Sequence, residues 1–339
     1  MARPRLITLV IATMGTLVFL ASGIPLPFLL GPLFACLIAA LAGTRLADMG
    51  RFSVLMRTIL GVAIGASITP DILGRLPEFL LPVLLVPVYI LVLGAVGYPF
   101  FRKICGFDHP TAYYSAMPGG LQDMLVFGEE AGADVRALSL IQATRVLVIV
   151  TIAPVLLTLI WDLDLTQPPG QPASALPLWQ MGVMVLSGLF GWLIAARLGM
   201  FGASILGPMI LTAALSLSGV IQFRPPAEAI FAAQFFIGLT VGARYTGITK
   251  HELKIDVLAG AGYCVILAVV ALFFAEIVAL SGMAGQIDAF LAFIPGGQAE
   301  MVVVAIIAGA DLAFVVTIHL VRIMVVIFGA PIVARLFKS

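Results

Sequence analysis

Two acids stand just after the same helix-breaking motif, once in each half of the chain. Pro118-Gly119-Gly120-Leu121-Gln122-Asp123-Met124 recurs 177 residues later as Pro295-Gly296-Gly297-Gln298-Ala299-Glu300-Met301. At the same offset, Gln142 and Arg145 in the first half correspond to His319 and Arg322 in the second. Proline cannot continue a helix and paired glycines hold one poorly, so each motif ends one helix and lets another begin. The first free N–H groups of the new helix create a positive potential where an anionic ligand group can dock. Asp123 and Glu300 lie in that first turn. Two readings follow for them: they satisfy their own helix ends, or they bind a coupling H⁺ or Na⁺ or a substrate amine or hydroxyl. Gln122 and Gln298 add amides at the same tips, offset by one position between the copies.

The same offset carries Gly61 and Gly65 onto Gly238 and Gly242, Gly132-Ala133-Asp134 onto Gly309-Ala310-Asp311, and Pro154 onto Pro331. Leu30-Gly31-Pro32 maps onto Leu206-Gly207-Pro208 with one residue of slip. The chain therefore reads as a duplication, with one repeat over 1–160, a linker over 161–177 and a second repeat over 178–339. Asp134 and Asp311 each precede an apolar run in a good N-cap context. The glycine pairs have the small-xxx-small spacing that lets helix backbones approach closely.

Composition fixes the medium. With 62% hydrophobic and 10% charged residues and a mean hydropathy of +1.17, the chain cannot cover a soluble surface and is an integral membrane protein. Its formal net charge of +1 provides no basic face, so no nucleic-acid partner is expected. Cys36, Cys105 and Cys264 are far apart and lack metal or disulfide spacing, which makes them small apolar fillers.

A bilayer span needs about 20 apolar residues. Ten runs qualify approximately: 6–22, 26–43, 54–69, 79–101 and 134–160, then 178–197, 203–219, 227–243, 253–280 and 311–336. Arg3 and Arg5 followed by an apolar run resemble a signal peptide. Gly15 matches Gly191, however, so this segment is read as the first span of repeat one. Residues 111–131 and 287–308 are apolar stretches broken by Pro-Gly-Gly. Each arm is about 12 to 16 Å long as helix, enough to reach the membrane middle but not to cross. Each stretch is predicted to be a re-entrant helical hairpin.

Short cytoplasmic loops collect Lys and Arg. With the N-terminus inside, Arg3, Arg5, Arg45, Arg51, Arg57, Arg102, Lys103, Arg197, Arg244, Lys250, Lys254, Arg335 and Lys338 fall on one side, whereas Arg75 and Arg224 fall on the other. Both termini are therefore expected in the cytoplasm. Five spans per repeat is an odd number, so the second repeat enters upside down. The predicted fold class is an all-α polytopic membrane protein of two inverted-topology repeats, each with five spans and one hairpin, as in many secondary transporters. The hairpins then enter from opposite faces and meet near the centre.

Arg145 and Arg322 each lie 11 residues beyond the aspartate that opens their helix, about 16 Å along it and so in mid-membrane. An arginine there costs roughly 2.5 to 3.5 kcal/mol before it finds partners. One arrangement pairs Arg145 with Asp123 and Arg322 with Glu300. The other leaves two guanidiniums facing a cavity, where they favour a carboxylate by bidentate bonding. Gln142 and His319 share the helix face of each arginine. His319 reads either as a hydrogen-bonded packing residue or as a proton-binding one.

The doubled Leu-Gly-Pro and Pro-Gly-Gly-x-x-[Asp/Glu]-Met set resembles the bacterial AbrB-type integral membrane family, whose members carry labels of ammonia monooxygenase or regulator of gene expression. A monooxygenase wants clustered metal ligands, but His109, His251 and His319 sit on separate elements, and no enzyme activity is expected. The functional expectation is an inner-membrane secondary transporter for a small polar or anionic metabolite, with a site built from Pro118, Gly119, Gly120, Gln122, Asp123, Gln142 and Arg145 and from Pro295, Gly296, Gly297, Gln298, Glu300, His319 and Arg322. The alternative is a membrane-embedded small-molecule sensor that influences gene expression indirectly. Expected partners are the small-molecule substrate and the lipid bilayer, with a homodimer left open; no cofactor beyond coupling H⁺ or Na⁺ is expected.

Overall fold

In the computed structural model the described residues, 2–200 and 202–336, form helices and no strand; at 2, 71–73, 76, 122, 335 and 336 only the backbone is described. The helices are α1 (Ala2–Ala21), α2 (Pro27–Leu41), α3 (Arg51–Gly65), α4 (Pro70–Arg75), α5 (Leu80–Pro99), α6 (His109–Ala116), α7 (Leu121–Glu130), α8 (Val135–Trp161), α9 (Leu178–Arg197), α10 (Ala203–Leu217), α11 (Ala227–Ala243), α12 (Lys250–Glu252), α13 (Leu258–Leu280), α14 (Gln286–Phe293), α15 (Gln298–Ile307) and α16 (Leu312–Leu336). Among the described residues, six helical segments are long and apolar enough to cross a membrane: Arg3–Ala21, Pro77–Ile104, Val135–Trp161, Leu178–Arg197, Lys250–Leu280 and Leu312–Ala334. Leu91, Leu159 and Val265 point outward at 67%, 76% and 65% exposure, as a surface solvated by lipid requires. The protein is a polytopic helical membrane protein.

Each Pro-Gly-Gly motif breaks a helix where the sequence predicts. The first break separates α6 from α7 and the second separates α14 from α15, giving arms of 8 and 10 residues in both cases. Gly132 and Gly309 then adopt φ of +82° and +68° just past α7 and α15, a left-handed cap conformation that favours glycine. Asp134 opens α8 as an N-cap, its Oδ1 accepting from the Arg136 and Ala137 amides at 2.9 and 3.0 Å. Asp311 precedes α16 and accepts from Arg75 Nη1 at 3.0 Å. The three cysteines carry free thiols, with Cys36 and Cys264 buried.

The chain forms two compact units, and each takes segments from both halves of the sequence. The first comprises residues 1–76, 156–247 and 299–313. Its packing is built on glycine. Gly15 on α1 meets Gly31 on α2, and Gly191 on α9 meets Gly207 on α10, so closely that an added Cβ would strike the facing backbone. Gly61 and Gly65 lie against the Ile205 and Met209 carbonyls of α10, while Gly238 and Gly242 lie against the Leu29 and Leu33 carbonyls of α2. These are close-approach positions, as the small-xxx-small spacing implied. Asp48 Oδ1 accepts from Ser53 Oγ at 2.8 Å and from Thr240 Oγ1 at 3.1 Å, fastening the start of α3 to α11. Arg57, which the charge count places on the side of the N-terminus, sits in the second turn of α3.

The connector after α8 folds onto this same unit. The Ala227 amide donates to the Gln171 carbonyl, and Glu228 Oε2 accepts from the Ala173 amide. Asp164 accepts from the Thr166 hydroxyl and amide and from Gln167, which holds its carboxyl below the usual range.

The second unit comprises residues 77–155, 248–298 and 314–339, and it contains both helix ends that precede the breaks. Here α13 packs on α14 and on α5, and α5 packs on α6. Gly119 lies against Val326 of α16, where a Cβ would approach Val326 Cγ1 to 2.9 Å.

Replacing Gly238 with valine is expected to lower stability by about 1–3 kcal/mol through overpacking against α2. Gly182→Ala, at a site with open space around it, is expected to be neutral. Thermal unfolding in detergent compares the two; equal midpoints would show that the glycine contact contributes nothing.

Candidate functional site

The residues singled out by the repeat converge on the ends of α6 and α14. A helix leaves its last carbonyls without donors, and burial denies them bulk water. The side chains facing these two ends supply the missing donors. Arg145 of α8 donates from Nη1 to the Met117 carbonyl at 3.4 Å and from Nη2 to the Gly119 carbonyl at 3.0 Å. Arg322 of α16 donates to the Ile294 and Gly296 carbonyls, both at 3.2 Å. The acceptors correspond at the same offset of 177 residues as the arginines themselves.

The neighbours three residues before the arginines complete the pattern. Gln142 Nε2 donates to the Tyr114 carbonyl at 2.9 Å and to the Met117 carbonyl at 3.3 Å. His319 Nε2 lies 2.9 Å from the Leu291 carbonyl, and because a carbonyl only accepts, this nitrogen carries the proton. Tyr114 and Leu291 are again equivalent positions. His319 is fully buried and performs the packing and hydrogen-bonding role, with an amide in its place in the other half.

Two tyrosines that the sequence reading passed over take the remaining carbonyls. Tyr263 donates to the Ala116 carbonyl at 2.7 Å, and Tyr89 donates to the Phe293 carbonyl at the same distance. Both are buried, and Tyr89 packs edge-on to Phe274 and Phe293. Tyr89 also lies within electrostatic reach of both Arg145 and Arg322. Four equivalent carbonyls at each break are thus satisfied by one arginine, one tyrosine and one Gln or His.

This arrangement gives the arginines backbone partners that the sequence reading did not consider. Each guanidinium stands at the negative end of a half-helix, where a cation is favoured. Arg145 and Arg322 are 3% and 2% exposed, and their donors bridge carbonyls two residues apart, a task suited to a planar fork.

The breaks themselves are buried at Pro118, Gly119, Pro295 and Gly296, and opener at Gly120 and Gly297. Asp123 is half-buried in the first turn of α7, whereas the side chain of Gln122 lies outside the described residues. In the second copy Gln298 is half-buried, and its amide nitrogen finds no partner among the described residues. Glu300, 8% exposed in the first turn of α15, belongs to the first compact unit. There it lies within electrostatic reach of Arg244, as do Arg57 and Asp48.

A cavity of about 640 Å³ in the second unit has an apolar lining that includes Pro87, Ile90 and Val326, with Tyr98, His109 and Tyr113 as its polar members. Tyr98 Oη lies 2.8 Å from His109 Nδ1, and Tyr113 donates to the Ala330 carbonyl. No carboxylate or guanidinium belongs to this lining, which suits an apolar occupant rather than an anion.

Fold and site together define a polytopic membrane protein whose helices are interrupted at two matched points and capped there by buried arginines. The family model described as transition state regulatory protein AbrB matches residues 28–338, and the chain belongs to that family. A Bacillus subtilis (strain 168) protein named "Uncharacterized protein YhjN" is 27% identical over 358 residues, covering 96% of this chain and 91% of that one. An Escherichia coli (strain K12) protein named "Putative regulator AbrB" is 26% identical over 339 residues, covering 95% of this chain and 92% of that one.

His319→Gln is expected to hold stability within about 1 kcal/mol, because the amide repeats what Gln142 does, whereas His319→Leu should cost about 1–3 kcal/mol through an orphaned Leu291 carbonyl. Arg322→Leu, which strips donors from two carbonyls, should cost more than either. Detergent unfolding midpoints rank the three; a ranking that puts Arg322→Leu first in stability would refute the capping role.

Proposed function

We propose that the protein is an inner-membrane secondary transporter for a small polar or anionic metabolite, coupled to H⁺ or Na⁺, working by alternating access around the interrupted helices. The observation that carries this reading is the doubled break: two helices stop inside a membrane protein, and each stop is secured by a buried arginine, tyrosine and Gln or His. Non-helical backbone at membrane depth is tolerated where it is buried in protein or lines a water-filled cavity, and interrupted helices of this kind form the substrate sites of many secondary transporters. In this reading the two Pro-Gly-Gly elements are re-entrant hairpins of two inverted repeats, and both termini are cytoplasmic. Asp123, Glu300 and Gln298 are the groups at the tips with capacity to meet solute or coupling ion. No enzyme activity and no resident cofactor are assigned.

A second reading is favoured by one comparison, the Escherichia coli relative whose name calls it a regulator. It makes the protein a membrane sensor that binds the same class of molecule and signals to a partner. Counterflow separates the two. Purified protein screened by thermal shift and reconstituted in liposomes is expected to exchange labelled for unlabelled ligand; binding without exchange would establish the sensor and reject the transporter. Cysteines placed singly in 161–177 are expected to label from the periplasm of intact cells. Labelling from the cytoplasm alone would overturn the inverted topology.

A further inference from the structure

The apolar cavity of the second unit opens toward the lipid. Its floor is α6, through Tyr113 and Met117, and its walls are α5 and α16. Small residues make room for it: Gly94 and Ala95 on α5, and Gly329 and Ala330 on α16. A Cβ added at Gly329 would meet nothing within 4 Å among the described residues, so the gap lies directly against that helix. Tyr113 donates to the Ala330 carbonyl at 2.8 Å and holds the floor to one wall. Leu91 and Ala95 line the cavity, lie one turn apart on α5 and are both exposed, which sets the mouth on the outer surface. Phe328, beside Gly329, is 65% exposed there. In a polytopic membrane protein, an apolar surface of this kind is solvated by lipid.

The cavity also has a direction. From Pro87 to Tyr98 its wall covers 11 residues of α5, about 16 Å, which is half of a hydrocarbon core about 30 Å thick. That is the depth of one leaflet. The Pro87 end is aliphatic, whereas Tyr98 Oη and His109 Nδ1 stand 2.8 Å apart at the other. One turn beyond Tyr98, in the wide helical turn Phe100–Ile104 that ends the span, come the exposed Arg102 and Lys103. Arg102 gives one donor to the Phe107 carbonyl, and Asp108 accepts from the Thr111 amide. Two cations beside one carboxylate leave this end positive. Apolar depth, then an aromatic and imidazole band, then cations is the order that complements a phospholipid from chain to phosphate.

The other half of the chain carries none of these elements. At the 177-residue offset Gly329 corresponds to Ile152, Tyr98 to Ala275, Arg102 to Ala279 and Lys103 to Leu280. Packing alone gives no reason for the cations to be kept or lost with the glycine, whereas an amphiphile held in one half requires both. A second copy of the chain would lay apolar side chains over the mouth and leave the cations unanswered. A soluble anion would find no charged group in the described lining.

We propose that this cavity holds one acyl chain of an anionic phospholipid whose phosphate meets Arg102 and Lys103. The chain lies against Met117, whose carbonyl accepts from Gln142 and Arg145, so the lipid braces the first helix break. Lipid binding is independent of whether the protein transports or senses. Delipidated protein in detergent is titrated with phosphatidylglycerol and with phosphatidylethanolamine of the same chains, and read by native mass spectrometry and unfolding midpoint. One phosphatidylglycerol per chain is expected to bind, raise the midpoint and bind roughly tenfold more tightly than the zwitterionic lipid, as two interfacial cations provide.

Gly329→Leu fills the gap and is expected to fold at least as stably as the lipid-free wild type while losing roughly tenfold in lipid affinity through the chain area it displaces. Gly182→Leu, which adds the same bulk at an open position of the first unit, should bind as wild type does. Arg102→Gln combined with Lys103→Gln should remove the preference for phosphatidylglycerol and keep the weaker binding. Should Gly329→Leu fail to fold, phosphatidylglycerol with a mid-chain diazirine still decides on the wild type, with crosslinks expected at Leu91 and Val325. Absence of a one-to-one lipid, equal affinity for both lipids, a folded Gly329→Leu with unchanged affinity, or crosslinks that miss α5 and α16 would each overturn the site. A lipid-free dimer that Gly329→Leu converts to a monomer would place a second copy in the groove instead.

Discussion

A helix interrupted in the interior of a protein has to dispose of its last carbonyls, and that requirement organises the second compact unit. The residues at both breaks are buried, and the proline that follows has no N–H to offer. The donors must come from another helix and must reach past the turn to oxygens two residues apart. Arginine meets that geometry with a flat fork, and a lysine ammonium would not span it in the same way. Once Arg145 and Arg322 are placed, Gln142 and His319 follow, because residues three apart share a helix face. Tyr263 and Tyr89 then close the remaining carbonyls from α13 and α5. The cost of burying two guanidiniums is offset by the dipoles and lone pairs they satisfy.

The first unit solves a different problem with different residues. Short helices such as α2, α3, α10 and α11 offer little area each, so they gain cohesion by close backbone approach at Gly15–Gly31, Gly191–Gly207 and the α3 and α11 glycines. That approach is also what draws polar groups together. Ser53, Thr240 and Asp48 bond across α3 and α11, and Arg57 and Arg244 come within electrostatic reach of each other.

Much of this was legible in the residues. Pro-Gly-Gly dictates a break, and the apolar arms on either side were long enough for half-helices only; the observed arms have 8 and 10 residues. The need for partners at Arg145 and Arg322 followed from the cost of burial. The partners themselves did not, because a carbonyl belongs to every residue and leaves no mark in the sequence. Asp123 and Glu300 drew attention as the nearest opposite charges, whereas the hydrogen bonds of Arg145 and Arg322 run to backbone carbonyls. Tyr89 and Tyr263 were invisible for another reason: their numbers do not correspond at the 177-residue offset, so a search for repeats passes them by. Arg57 was placed by charge bookkeeping on the cytoplasmic side, and it lies in the second turn of α3. Hydropathy finds spans but says nothing of neighbours, and for that reason the interleaving of both halves in each compact unit was not readable from the chain.

How the buried arginines are engaged bears on where recognition resides. A guanidinium whose donors are engaged by backbone is part of the frame, since a ligand that captured it would strand the carbonyls it serves, at about 1–3 kcal/mol each. Such a residue sets the position of the break and has little capacity to discriminate solutes. Discrimination needs groups whose hydrogen-bonding capacity is still open in the folded protein. Among the described residues such buried open atoms occur in both units: Arg57 Nε and the Gln234 amide in the first, and Ser115 Oγ, the Gln142 amide oxygen and the Gln298 amide nitrogen in the second.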